Sequence, residues 1–200
     1  MHHDPGDETT RARFAGLLLL LMATVAAAGE AASSPTNHSI PAIAEIAKIK
    51  VGFSTQQDLA SQWGEGKTIT GGHPNSGRLW RVKGTPWVLH TDAFEYSKRG
   101  LVVDGLEIRE DRTPGEGVPY ARLSASDLAW LGEISLGASQ DRVMEVLKRK
   151  GLQVTQTAAG CETRATGLHT LENKVQFRTW KVRVDFKAGL LIRLAIDAGS

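Results

Sequence analysis

A single cysteine, Cys161, stands in a chain of 200 residues, so no intramolecular disulfide can form and packing alone must hold the fold. Cys161 lies between Gly160 and Glu162 with no base at a fixed spacing, and it reads as an inert thiol rather than a nucleophile. Net charge is equally scarce. Lys and Arg number 24 against 22 Asp and Glu, a formal +2, and the cations are spread along the chain rather than gathered in one run, which argues against a nucleic-acid partner.

Long apolar runs are also lacking. The longest, Phe14 to Ala28, falls short of the ~20 residues that a spanning helix needs. It follows Arg11 and Arg13 and places Ala26 and Ala28 at the spacing of an A-x-A cleavage site, so residues 1–28 read as a secretory signal. No cysteine follows the run, so no stable lipid anchor is expected, and the chain is expected to be periplasmic or secreted.

Catalytic signatures are missing as well. Neither Gly52-Phe53-Ser54-Thr55-Gln56 nor Gly137-Ala138-Ser139-Gln140-Asp141 completes a G-x-S-x-G elbow, and both serines suit helix capping. Gly64-Glu65-Gly66 and Gly71-Gly72 lack the following helix and the Lys-Ser/Thr of a phosphate cradle. His73, His90 and His169 are too scattered to suggest a metal site, and no cofactor is expected. His90 and Asp92 share one face of a predicted strand, a geometry compatible with proton transfer or metal binding and equally with an ordinary polar sheet face. Asp104-Gly105, in alternating apolar surroundings, reads as a tight hairpin turn.

What is present is punctuation. In Ile134 to Gly151, Ser139 caps a helix expected over residues 140–150, Asp141 meets its positive end, and Lys148, Arg149 and Lys150 crowd its negative end before Gly151. Val143, Val146 and Leu147 give that helix one apolar face. An earlier stretch, Ile49 to Gly64, has similar grammar: Ser54 or Thr55 as cap, Asp58 completing a capping box with Thr55, and the apolar pair Leu59 and Trp63. Each is preceded by a short segment, residues 42–48 and 126–131, that reads as a further helix.

After each pair the period changes to two. Residues 77–82, 87–96 and 101–108 read as strands, as do 180–186 and 190–196, the last with Leu190, Ile192, Leu194 and Ile196 on its inner face. The expected fold is therefore α+β, with two tandem helix–helix–antiparallel-sheet repeats packed together. Its divisions are a signal peptide (1–28), a flexible leader (29–41), a first repeat (42–112), a linker (113–125) and a second repeat (126–200).

Ile134-x-Leu136-Gly137-x-Ser139 before a capped helix, and then strands containing Phe94-Glu95-Tyr96-Ser97-Lys98-Arg99-Gly100-Leu101 or Trp180-x-Val182-x-Val184-x-Phe186, resemble the superfamily that holds BamE (SmpA) and beta-lactamase inhibitor protein. The tandem layout is similar to the inhibitor, and the resemblance implies a concave sheet that grips a partner enzyme. A BamE-like role would imply an accessory of outer-membrane protein assembly. The chain lacks the lipoprotein cysteine of the BamE group and the disulfides of the inhibitor.

Lys181, Arg183 and Arg193 are expected to form a basic stripe on the exposed face of the last hairpin, suited to an acidic partner or simply solvated. Trp87, after Pro86 at a strand start, is a candidate rim anchor or a half-core residue. These four and His90 are the candidate partner-binding residues of an exported, non-enzymatic interaction module whose partner is a cell-envelope protein or an enzyme. The competing reading is a ligand-binding protein or hydrolase with a cleft between the two halves, using His90, Asp92 or His169. A third is a purely structural envelope component.

Overall fold

Trp63, Trp80, Trp130 and Trp180 are each at most 1% exposed, and where their indoles anchor shows how the chain is assembled. In the computed structural model, which describes residues 40–70, 76–96, 99–171 and 174–199, Trp80 Nε1 donates to Gly64 O (2.9 Å), Trp130 Nε1 to Ile43 O (3.1 Å) and Trp180 Nε1 to Val51 O (2.7 Å). The last two bonds run from the second half of the chain to the first. The expected signal and most of the leader lie outside the described residues, as do His73 and the turn residues Ser97 and Lys98.

The first half begins with a 3-10 turn, Ala42–Ala44, and a two-stranded hairpin, β1 (Glu45–Ile46) and β2 (Ile49–Lys50). Ala47 and Lys48 make the hairpin turn with φ of 47° and 66°, the left-handed pair that matches the twist of the flanking strands. Helix α1 (Gln56–Trp63) follows, capped by Thr55: Thr55 N donates to Asp58 Oδ2 at 2.7 Å and Asp58 N donates to Thr55 Oγ1 at 3.2 Å. Then come β3 (Lys67–Thr70), β4 (Ser76–Arg81), β5 (Trp87–Tyr96) and β6 (Gly100–Glu110). The second half has a 3-10 turn at Ala125–Leu128, helix α2 (Gln140–Arg149) capped by Ser139, and β7 (Val154–Gln156), β8 (Gly160–Leu171), β9 (Lys174–Lys187) and β10 (Leu190–Gly199).

The expectation of helix–helix–sheet repeats is overturned. Apart from the β1–β2 hairpin, the strands form one antiparallel sheet in the order β3-β4-β5-β6-β10-β9-β8-β7, joined across the two halves by β6 and β10, and the molecule is mostly β. The segments 42–48 and 126–131 are not helices. Each has room for one 3-10 turn before the chain reverses, too short for the several fixed residues that an α-helical nucleus demands. What the halves do share is a stitch from the loop before each helix to the start of that half's last strand. Gly52 N donates to Val103 O (2.6 Å) and Val103 N to Ser54 O (2.8 Å); Gly137 N donates to Leu191 O (2.7 Å) and Leu191 N to Ala138 O (2.9 Å).

Two further expectations fail at bulges. Asp104-Gly105 is no hairpin turn; it lies within β6, where the register with β5 slips between Asp92 and Ala93 and Asp104 is the extra residue. On β10, a slip between Leu191 and Arg193 breaks the alternation, so Leu190 is 48% exposed and Leu191 only 2%, while Leu194 and Ile196 remain buried. One continuous core containing the four tryptophans, the apolar faces of both helices and Ile43, Ile46 and Ile49 lies against one face of the sheet. The opposite face is open from β5 to β9, while at its β4–β5 end Val118 covers Leu79 and Val88.

Candidate functional site

The open face is built by the residues whose partners across the ladder alternate with the core positions. On β9, Trp180, Val182 and Val184 are buried, so Lys181, Arg183 and Asp185 project the other way. The register then sets Asp185 beside Arg193 of β10, Arg193 beside Arg109 of β6, and Glu107 of β6 beside His90 of β5. Lys181, Arg183, Arg193 and His90 are thereby gathered on one surface spanning β5 to β9.

The basic stripe is matched by acids. Arg193 donates to Glu107 at 2.7 Å and to Asp185 at 3.2 Å, Arg183 to Asp197 at 3.1 Å, and Lys181 pairs with Glu162 at 2.7 Å. Arg109 adds a second donor to Glu107 at 2.7 Å, and Arg164 a second to Glu162 at 2.9 Å. Burial pushes the Glu107 carboxyl up, but the bonds from Arg193 and Arg109 together outweigh it and hold the carboxyl below its ordinary value. Lys181, bonded to Glu162, lowers that carboxyl in the same way, and the bond to Glu107 raises the Arg193 guanidinium. The result is a lattice of fixed, alternating charge. A surface of this kind is complementary to one that carries both signs, since its cations already have acceptors.

His90 lies 3.5 Å from Asp92 through Nε2 and Oδ1, and both are on the open face. Gly77 of β4 passes so close that a side chain there would meet His90 Nε2 at 3.1 Å. The side chain of His169 lies outside the described residues. Among the described residues no three His, Cys, Asp or Glu side chains gather as a metal site would require.

Trp87 is separate from this surface. It is half-buried, packs against the main core, and lines a groove of about 660 Å³ between the outer end of β5–β6 and the β9–β10 turn. Leu136, Leu190 and Ile192 give the groove its apolar lining, and Glu110, Arg112 and Lys187 its charged lining. Neither His90 nor Asp92 lines it.

At the end of the sheet near the bulge in β6, Arg178 of β9 bonds Asp104 and reaches the carbonyls of Gly52 and Ala198, both at 3.4 Å. Burial, with the neighbouring Asp197 and Asp92, holds the Asp104 carboxyl above its ordinary value against the lowering by Arg178. The acids Glu107, Glu162, Asp185 and Asp197 were not visible as site residues in the sequence. Their roles depend on strand register, and only the alternation around Asp185 gave any sign of one.

No protein-family model, curated protein or solved structure matches the chain. Among the described residues no helix is long and apolar enough to cross a membrane.

Proposed function

We propose that this chain is an exported, non-enzymatic protein-binding module that takes its partner on the open face of the eight-stranded sheet. The observation that carries the reading is the division of labour across the sheet: one face holds the whole main core, while the other presents Lys181, Arg183 and Arg193 locked into an ordered charge lattice, with His90 beside Asp92. Ion pairs held between strands keep their geometry before a partner arrives, so little side-chain freedom is lost on binding. The expected signal at residues 1–28 and the resemblance to a superfamily that includes a protein grasping its partner with a sheet are in keeping with this reading.

Purification of the native partner complex from the source cell envelope, followed by charge reversal, tests it. Arg183→Glu on the face should abolish recovery of one stoichiometric partner, and Arg142→Glu on α2 should not. Loss from both variants equally, or from neither, contradicts the proposal. N-terminal sequencing of the exported chain tests the signal, with a start just after Ala28 expected.

A second reading has one observation in its favour. The groove beside Trp87, about 660 Å³, is within the size range of small-ligand sites. Quenching of Trp87 fluorescence by an amphiphilic carboxylate, absent in Trp87→Phe, would favour ligand binding over the face.

A further inference from the structure

The two outer edges of the sheet are finished differently. On the first half, β3 covers β4 over Ser76–Leu79, and the chain around Tyr120 covers the rest: Arg81 N donates to Pro119 O at 2.8 Å and Ala121 N donates to Arg81 O at 2.9 Å. On the second half, β7 covers β8 only from Cys161 to Thr163. From Arg164 to Leu171 no described strand lies outside β8, although β8 continues to pair with β9 as far as Leu171.

Among the described residues this edge has no strand partner beyond Thr163. Thr157 N donates to Gly160 O at 2.9 Å, so the peptide groups of Gly160 face away from β9. Alternation then turns the amides and carbonyls of Arg164, Thr166 and Leu168 outward too. Among the described residues, three devices that blunt natural sheet edges do not occur along this stretch: proline, lysine and a bulge. The stretch Arg164–Leu171 holds no proline and no lysine, and its pairing with β9 carries no register shift, unlike β5–β6 and β9–β10.

Two features beside the edge select what would pair with it. Leu168 stands opposite Phe177 of β9 on the open face; Leu168 is 37% exposed and Phe177 is 77% exposed, the most of any large hydrophobic among the described residues. Farther along the same face, Arg164 and Lys181 share one carboxylate, Glu162, at 2.9 and 2.7 Å, a local excess of one positive charge.

We propose that the outer edge of β8, Arg164–Leu171, takes up an extended antiparallel strand from a partner protein, with an apolar side chain set against Leu168 and Phe177 and a carboxylate against Arg164. Main-chain bonds supply the attraction, and these two side-chain positions supply the choice of segment. The proposal rests on the reading that the chain binds a protein, but it concerns the edge of the sheet rather than its face.

The test uses the full chain and the fluorescein-labelled peptide TVISTVE, whose Ile falls opposite Leu168 and whose Glu falls opposite Arg164 when its first residue stands opposite Thr170. Saturable binding is expected, with slowed hydrogen exchange at the Thr166 and Leu168 amides. Thr166→Pro should weaken binding at least about tenfold, because its outward amide serves only the incoming strand and proline is tolerated on a free edge. Leu168→Lys gives a second variant that changes only an exposed side chain, and a peptide with Lys in place of Glu should bind several-fold more weakly. No saturation at millimolar peptide, unchanged affinity in both variants, or protection mapping to β9 overturns the proposal. So does a dimer of the chain that Thr166→Pro dissociates, which would assign the edge to a second copy. If the peptide fails while Arg183→Glu still releases the native partner, the edge proposal falls and the open-face reading stands.

Discussion

Arg178 is a cation 7% exposed, and it links the halves: its guanidinium bonds Asp104 of β6, Ala198 of β10 and the Gly52 carbonyl before α1. Removing one member of a buried pair leaves the other without compensation. Because the Asp104 side chain is 34% exposed, water recovers some of that loss, and Arg178→Met should destabilise the chain by about 2–3 kcal/mol rather than the larger figure of a fully dry pair. Urea unfolding of Arg178→Met, Asp104→Asn and the double variant gives the coupling, and the double variant should be less destabilised than the sum of the singles. Trp180→Phe removes the donor to Val51 O and strands a buried carbonyl, a loss of about 1–3 kcal/mol by the same measurement. Glu107 adds a pH dependence. Its folded-state value lies below the ordinary 4.5, so its contribution is fully present above that value and disappears as pH falls through the depressed one. Glu107→Gln should therefore flatten the loss of stability on the acid side, below about pH 4.5, in melting temperatures recorded against pH.

At the level of elements, local chemistry and long-range register were unequally legible. The caps were plain because Thr55, Asp58 and Ser139 act on amides within one turn, and Ser139→Ala should destabilise the chain by about 1 kcal/mol in urea unfolding. Strands β9 and β10 were visible in part because Val182, Val184, Leu194 and Ile196 alternate with charged neighbours. Strand β8 was not, since its core-facing residues Cys161, Thr163, Ala165 and Gly167 are small or polar and give no apolar period. In the first 3-10 segment Ile43 and Ile46 sit at helical spacing, which reads as a helix, yet the same spacing lets Ile46 face Ile49 across a two-residue turn. The bulges at Asp104 and Ile192 carry no signature that distinguishes them from a turn or from continued alternation.

The whole molecule depends on contacts between its halves that no local pattern announces. Strand β6 pairs with β10 from Gly105 to Arg109, and Trp130 and Trp180 donate to Ile43 and Val51. The described residues accordingly fall within one compact unit, His38–Ser200. A fragment of residues 40–112 would expose the seam of β6 and lose both indoles from its core, so it should show no cooperative unfolding by circular dichroism. Joining the halves also assembles the charged face proposed to bind a partner, because Glu107 of the first half is the acceptor that holds Arg193 of the second. The sequence displayed the cations of that surface but not the acids that neutralise them, which is why a bare basic stripe was expected. The most direct test is site-specific photo-crosslinking in the source cells, with benzoylphenylalanine at Thr179 on the open face or at Asp141 on α2. The account predicts a discrete adduct with one protein from Thr179 and none from Asp141; the same adduct from Asp141, or none from Thr179, would contradict it.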